Sequence, residues 1–137
     1  MEIAIFSLRT LPSGVVRDLS SWQDARRSAM GLCIVEYARP EDDIVLAFDG
    51  SELIGIALCQ LDQDEADRLS SDVIFVAGIA TKRTGYGKEF FRNICEYVKE
   101  CGFDGVCVKS LKDAAGFYQS IGLSQIGSTF YVIWGTR

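Results

Sequence analysis

Residues 73–88 read VIFVAGIATKRTGYGK, an almost unbroken apolar run that leads into two glycines among basic side chains. The apolar run, residues 73–80, predicts a central strand that is covered on both faces. Gly78 inside this run predicts a bulge or the close approach of a ligand. Gly85 and Gly87 then predict a turn into a helix, so the segment has the order strand, glycine turn and helix.

The start of the predicted helix has the composition of an anion-binding site. Glycines such as Gly85 and Gly87 let the backbone approach a ligand closely. The first N–H groups of a helix lack intrahelical partners and carry a partial positive charge. Lys82, Arg83 and Lys88 add formal positive charge beside them. The segment therefore predicts a cradle for phosphate, and the alternative reading is a tight turn with solvated basic side chains.

Two common glycine motifs for nucleotides fit this segment poorly. A Walker A loop, GxxxxGK[ST], would need glycine at Lys82 and Ser or Thr at Glu89, which follows Lys88. A dinucleotide fingerprint, GxGxxG, would need its third glycine at Phe90. The phosphate compound is therefore expected to be of another kind.

The rest of the chain predicts further elements from its hydrophobic periodicity and turn signals. Strands are expected at residues 2–8, 44–48, 53–61, 105–108 and 129–134, with a shorter one within residues 123–127. Helices are expected after Pro12, from the capping box of residues 21–24 to Gly31, from Gly85-Tyr86-Gly87 to Gly102, and from the capping box of residues 110–113 to Ile121. Residues 61–72 are polar and indicate a loop. With a hairpin at Asp49-Gly50, this order predicts an α/β (α+β) fold with a mixed sheet.

Length and net charge limit the classes of protein to which this chain can belong. The 137 residues are expected to form a single domain, residues 1–137. Lys and Arg number 14 against 19 for Asp and Glu, and the net charge of −5 argues against a nucleic-acid binder that uses its whole surface. Apolar runs are too short for a membrane span, and the first ten residues lack the pattern of a signal peptide. A cytoplasmic protein is therefore expected.

Histidine is absent from the chain, which excludes His-dependent nucleophiles, imidazole general bases and His-based zinc sites. The five cysteines form no CxxC pair and favour reduced core thiols over disulfides or a metal site. They are Cys33, Cys59, Cys95, Cys101 and Cys107. The acidic residues 62–67 resemble the start of a calcium loop but lack the glycine at its sixth place, so a solvated loop is expected.

Two motifs resemble those of the GNAT superfamily of N-acetyltransferases. The pyrophosphate loop of that family reads Arg/Gln-x-x-Gly-x-Gly/Ala, and Lys82-x-x-Gly85-x-Gly87 matches it with Lys in the first place. Downstream, residues 114–123, AAGFYQSIGL, resemble the family signature Ala-x-x-Phe-Tyr-x-x-x-Gly-Phe. The resemblance implies a GNAT-like fold, in which a mixed, mostly antiparallel central sheet has a splayed central strand and is flanked by about four helices.

The resemblance also implies a site for acetyl-CoA and no metal. Backbone groups at the end of the splayed strand would pair with the pantetheine arm and polarise the acetyl carbonyl, and amides of the following loop would hold the pyrophosphate. The cofactor-binding residues implied in this way are Ile79, Ala80, Thr81, Lys82, Arg83, Thr84, Gly85, Tyr86, Gly87 and Lys88. Tyr118 matches the general acid of the family for the departing thiolate, and the alternative reading of Tyr118 is a core aromatic.

The general base has no candidate on the central strand, because residues 73–81 contain no carboxylate. Asp72, Glu52 and Glu36 are candidates elsewhere, and a chain of water molecules is another. Leu111 stands where the family often has an Asn that contacts the cofactor. The family commonly has a proline before the loop, and residues 78–81, GIAT, contain none.

The function implied is transfer of an acetyl group from acetyl-CoA to an amine of a small molecule or a peptide. A non-catalytic module that binds acyl-CoA is the first alternative. A GNAT-type toxin that acetylates charged tRNA is the second, and the acidic charge balance disfavours it. The expected partners are a coenzyme A thioester and an amine acceptor, without a membrane or nucleic acid, and a homodimer is compatible with the sequence.

Overall fold

The computed structural model describes residues 1–109 and 115–134, and in these residues the chain forms seven strands and five helices. In chain order they are β1 (Glu2–Phe6), α1 (Val15–Ser20), α2 (Ala25–Tyr37), β2 (Asp43–Asp49), β3 (Glu52–Leu61), α3 (Gln63–Leu69), β4 (Val73–Thr81), α4 (Gly87–Glu100), β5 (Gly105–Lys109), α5 (Ala115–Ser120), β6 (Ser124–Ile126) and β7 (Thr129–Ile133). The capping box predicted at residues 110–113 lies outside the described residues, as does Leu111.

The strands form one mixed sheet in the order β1-β2-β3-β4-β5-β7-β6. Every neighbouring pair is antiparallel except β4 and β5, which are parallel. One buried cluster joins the sheet to α4 and α5, through residues such as Phe90, Ile94 and Tyr118. A second cluster joins it to α1 and α2, through residues such as Leu19 and Ile34. The predicted mixed, mostly antiparallel sheet with helices around it is confirmed.

The central strand β4 separates from β5 halfway along its length. The β4–β5 ladder runs from Val73 to Val76, and in the described residues no later residue of β4 has a partner in β5. The pairing of β4 with β3 continues to Thr81 but shifts register beside Gly78, which leaves Ala77 as an extra residue. The predicted bulge and the splayed strand are therefore confirmed. Complete burial of β4 is not found, since Ala77 is exposed where β5 diverges.

Helix α2 begins and ends later than predicted. Its N-cap is Asp24, whose carboxylate accepts hydrogen bonds from the backbone N–H groups of Arg26 and Arg27. The helix then continues through Gly31 to Tyr37. An added Cβ at Gly31 would lie 2.8 Å from Leu19 Cδ2, so this glycine allows α1 and α2 to pack closely and does not end the helix.

The polar segment of residues 61–72 contains helix α3. The prediction of a solvated loop for this segment is therefore wrong. Asp62 caps this helix and Glu65 is buried within it. The Oε1 atom of Glu65 lies 3.6 Å from Arg68 Nη1 and 3.4 Å from Lys109 Nζ. The pair with Lys109 joins the acidic run to the end of β5, and the pair with Arg68 lies within α3 itself. Among the described residues no group of three His, Cys, Asp or Glu side chains could hold a metal ion.

All five cysteines lie in the described part of the chain and are free thiols, but only some are in the core. Cys59 and Cys107 are buried, while Cys33 and Cys101 are exposed, which corrects the prediction of core thiols for these two residues. Burial raises the pKa of Cys59, Cys95 and Cys107 to about 12, so these thiols stay protonated at neutral pH.

We expect a chromogenic disulfide reagent to modify Cys33 and Cys101 in the native protein, because these two thiols are exposed. The other three should react only after unfolding in denaturant. Mass spectrometry of the labelled peptides measures both rates, and the intact mass should be the same before and after reduction. A mass lower by two units in the unreduced protein, or rapid labelling of Cys107, would contradict this assignment.

None of the helices in residues 1–109 and 115–134 combines the length and the hydrophobicity that crossing a bilayer requires.

Candidate active site

A cleft of about 560 Å³ opens where β4 leaves β5. Its walls are the first turns of α2, the end of β4 with its following loop, and α5. The predicted site residues that line it are Ile79, Ala80, Thr81, Thr84, Gly85, Gly87 and Tyr118. Most of the predicted cofactor-binding segment and the predicted general acid are therefore on one cleft, although they are distant in sequence.

The floor of the cleft presents a backbone edge of β4. The N–H of Lys82 donates to the carbonyl of Ile54 at 2.8 Å, and hydrogen-bonded and non-hydrogen-bonded pairs alternate along an antiparallel ladder. Ala80, opposite Ile56, is accordingly bonded to β3, whereas the N–H and C=O of Ile79 point away from β3. Because β5 has already diverged, the backbone groups of Ile79 face the cleft.

The loop after β4 turns into the cleft at Gly85. This residue has φ of +106°, a conformation that side-chain-bearing residues rarely adopt. Helix α4 starts at Gly87, and its N-cap residue Tyr86 makes no side-chain capping bond. Among residues 1–109 and 115–134, the first N–H groups of this 14-residue helix have no side-chain acceptor, and they can bind an anion.

The basic side chains of the glycine motif do not line the cleft. Lys82 Nζ lies 3.4 Å and Arg83 Nη1 lies 3.7 Å from the carboxylate of Glu52. Arg83 also donates to the hydroxyl of Tyr86 at 2.7 Å. Lys88 lies in a separate groove that α4 forms with the end of β7. For Lys82, Arg83, Tyr86 and Lys88, a contact with the cofactor through the main chain remains a prediction.

Arg27 is a site residue that the sequence analysis missed. Its guanidinium donates from Nη1 to the hydroxyl of Thr81 at 2.8 Å and to the carbonyl of Thr81 at 3.3 Å, and from Nη2 to the hydroxyl of Thr84 at 3.1 Å. Arg27 belongs to no sequence motif. The one local signal is the N-cap residue Asp24, which sets the start of α2 and so puts Arg27 in its first turn. Its contact with the loop depends on how α2 packs against β4.

Tyr118 lies at the junction of the cleft and the core. Its ring packs against Phe91, Phe117 and Phe130 at centroid distances of 6.1, 5.4 and 5.6 Å. Burial raises the pKa of the phenol above its usual value, so the hydroxyl keeps its proton at neutral pH. Within the described residues the hydroxyl has no hydrogen-bond partner, and the residue lines the cleft. Tyr118 is thus both a core aromatic and a candidate proton donor.

The carboxylates that the sequence suggested as general bases lie away from the cleft lining. Glu52 pairs with Lys82 and Arg83, Glu36 is exposed on α2, and Asp72 precedes β4 at its opposite end. In the described residues, the carboxylate that lines the cleft belongs to Asp24, and its Oδ1 atom caps α2.

No protein-family model and no curated protein matches the chain, but solved structures share its fold. A chain from Desulfovibrio desulfuricans assigned to the GNAT family of acetyltransferases has a TM-score of 0.65 and 13% identity, over 98% of this chain and 100% of that one. Tetrahymena Gcn5 has a TM-score of 0.67 and 10% identity, over 98% and 97% of the two chains. AtaTR bound with acetyl-CoA has a TM-score of 0.66 and 15% identity, over 97% and 94%.

Proposed function

We propose that this chain, which has the fold of the GNAT acetyltransferases, transfers an acetyl group from acetyl-CoA to an amine. One observation carries the proposal: the backbone edge of Ile79, the glycine loop and Tyr118 all face one cleft at the point where β4 leaves β5. The likeness to AtaTR bound with acetyl-CoA supports the choice of donor.

The cleft suits the two polar parts of a coenzyme A thioester. The diphosphate would lie against the amides of the loop after β4 and of the first turn of α4, where Gly85 allows the backbone to turn inward. The pantetheine amides would pair with the N–H and C=O of Ile79, as an added strand pairs with a sheet edge. A free backbone N–H at this edge would also polarise the acetyl carbonyl.

In the transfer itself, the amine nitrogen attacks the thioester carbonyl carbon and the carbon–sulfur bond breaks. The leaving thiolate takes a proton from the hydroxyl of Tyr118, which burial keeps protonated at neutral pH. The phenolate then regains a proton from the nitrogen, which loses one as it becomes the amide, so the net transfer is from the amine to the thiol. The acceptor must arrive as the neutral amine, and an alkyl ammonium with a pKa of about 10.4 must first lose its proton. Water in the open cleft would carry this proton away.

Release of free thiol from acetyl-CoA tests the proposal. The purified protein is incubated with acetyl-CoA and a panel of amines that includes polyamines, aminoglycosides, lysine peptides and aminoacyl-tRNA. We expect one class of amine to raise the rate of thiol release well above hydrolysis. Calorimetric binding of coenzyme A without thiol release for any amine would favour the non-catalytic module. A protein that neither binds coenzyme A nor releases thiol would overturn the proposal.

A further inference from the structure

We infer that Arg27, on α2, supplies the cationic side chain that binds the diphosphate of coenzyme A in this protein. The inference rests on the proposed function and adds to it a residue outside the glycine motif. Arg27 lines the same cleft as Gly85 and Gly87, the two glycines at which the diphosphate is proposed to bind.

The guanidinium of Arg27 spans both ends of the segment that leads into the glycine turn. Nη1 is bonded to the buried Thr81, the last residue of β4, and Nη2 is bonded to Thr84, the residue before Gly85. One planar group therefore sets the distance between the end of the strand and the start of the turn. A lysine has no fork that could bridge the two threonines in this way.

Arg27 keeps capacity for a ligand after these contacts are made. A guanidinium has five N–H donors. Nη1 makes two hydrogen bonds to Thr81 and Nη2 makes one to Thr84, and Nε faces the Asp24 carboxylate at 3.5 Å. Within the described residues the second N–H of Nη2 has no acceptor, and the side chain is 31% exposed. A phosphate oxygen would complete this set with a charge-assisted bond.

The other cations near the loop are placed differently. Lys82 and Arg83 share the carboxylate of Glu52 and do not line the cleft, so their side-chain charge lies outside it. Arg26 lines the cleft but is exposed, and within the described residues it makes no hydrogen bond to Thr81 or Thr84. The negative charge of Asp24 is partly offset by the two amides that it caps. Among the described residues, Arg27 is thus the cation that lines the cleft and is also hydrogen-bonded to Thr81 and Thr84.

Titrations with three ligands test the assignment. Coenzyme A carries the diphosphate and a 3′-phosphate, dephospho-coenzyme A keeps only the diphosphate, and pantetheine has the same thiol arm without either. A loss shared by coenzyme A and dephospho-coenzyme A therefore belongs to the part that contains the diphosphate, and NMR-monitored titration measures both strong and weak binding. We expect Arg27→Ala to raise the Kd for coenzyme A and for dephospho-coenzyme A about 10- to 100-fold and to change the Kd for pantetheine less than about twofold. Arg27→Lys should fall between wild type and Arg27→Ala, because it keeps the charge but cannot bridge Thr81 and Thr84.

Arg17→Ala is the matched control, because Arg17 is an 83% exposed cation on α1 and does not line the cleft. If Arg27→Ala does not fold, the same dissociation constants are measured on Arg27→Lys and Arg27→Gln. An unchanged Kd for coenzyme A in a folded Arg27 variant would overturn this inference alone, and so would an equal loss for coenzyme A and pantetheine. A wild-type protein that does not bind coenzyme A would overturn the proposed function instead.

Discussion

Replacing Tyr118 by phenylalanine should lower turnover about 10²- to 10⁴-fold and leave the affinity for coenzyme A within about twofold of wild type. The change removes one hydroxyl from a ring that packs against Phe91, Phe117 and Phe130. Because the hydroxyl has no hydrogen-bond partner among the described residues, its loss should change the free energy of unfolding by less than about 1 kcal/mol. The expected defect is therefore in proton transfer.

Turnover by thiol release, coenzyme A affinity by calorimetry and thermal unfolding should be measured together on Tyr118→Phe. Tyr37→Phe is the matched control, since Tyr37 is 71% exposed and does not line the cleft. Near-normal turnover of Tyr118→Phe on the true acceptor would exclude the acid role. Parallel loss of folding and activity would instead show that Tyr118 acts as a core aromatic.

The pH dependence of wild-type turnover should also reflect the role of Tyr118 as proton donor. A proton donor works only in its protonated form, and burial raises the pKa of Tyr118 above the usual value of about 10. Turnover should consequently show no alkaline decline from this group below about pH 10. A decline that begins near pH 8 and persists in Tyr118→Phe would have to come from another group.

Gly87→Glu should weaken coenzyme A binding by at least about 100-fold, because it places a carboxylate at the start of α4 where the diphosphate is proposed to bind. An added Cβ at Gly87 would lie 3.3 Å from the ring of Phe117, a tight contact that a small shift of the ring can relieve. An acidic residue in the first turn of a helix is otherwise stabilising. The variant should therefore fold while it repels the anion.

Two matched variants separate charge from bulk at Gly87. Gly87→Gln has nearly the same size as Gly87→Glu without the charge, and Gly87→Ala adds only the Cβ. We expect calorimetry to show the smallest loss of affinity for Gly87→Ala and the largest for Gly87→Glu. A folded Gly87→Glu protein with wild-type affinity would mean that the diphosphate does not lie at this helix.

Elements with local causes could be predicted from the sequence. The apolar run of β4 and the apolar face of α4 are local patterns that predict a buried strand and an amphipathic helix, whatever the rest of the chain does. Asp49-Gly50 likewise favours a hairpin turn between β2 and β3. Gly85 adopts φ of +106°, as expected of a residue that allows a sharp turn before a helix. These local preferences agree with the final fold, and so the strand, glycine turn and helix were found where expected.

Elements whose environment comes from distant residues could not be predicted. Glycine often ends a helix, yet α2 continues through Gly31. Leu19 of α1 occupies the space that a side chain at Gly31 would fill, so this glycine serves the packing of the two helices. Glu65 belongs to an acidic run typical of solvated loops, but pairing with Arg68 and Lys109 allows it to be buried. Arg68 is a neighbour on the same helix, but local composition carries no information about Lys109, which belongs to β5.

The same division runs through the candidate site. The glycines and the helix start could be recognised in the sequence, because they act through their own main chain, and its motif pointed to Tyr118. Which cation lies beside that backbone depends on how the elements pack. Packing of β3 beside β4 directs Lys82 to Glu52, and packing of α2 against β4 brings Arg27 to Thr81 and Thr84. Side-chain charge acts through space, so its target depends on which elements meet in the fold.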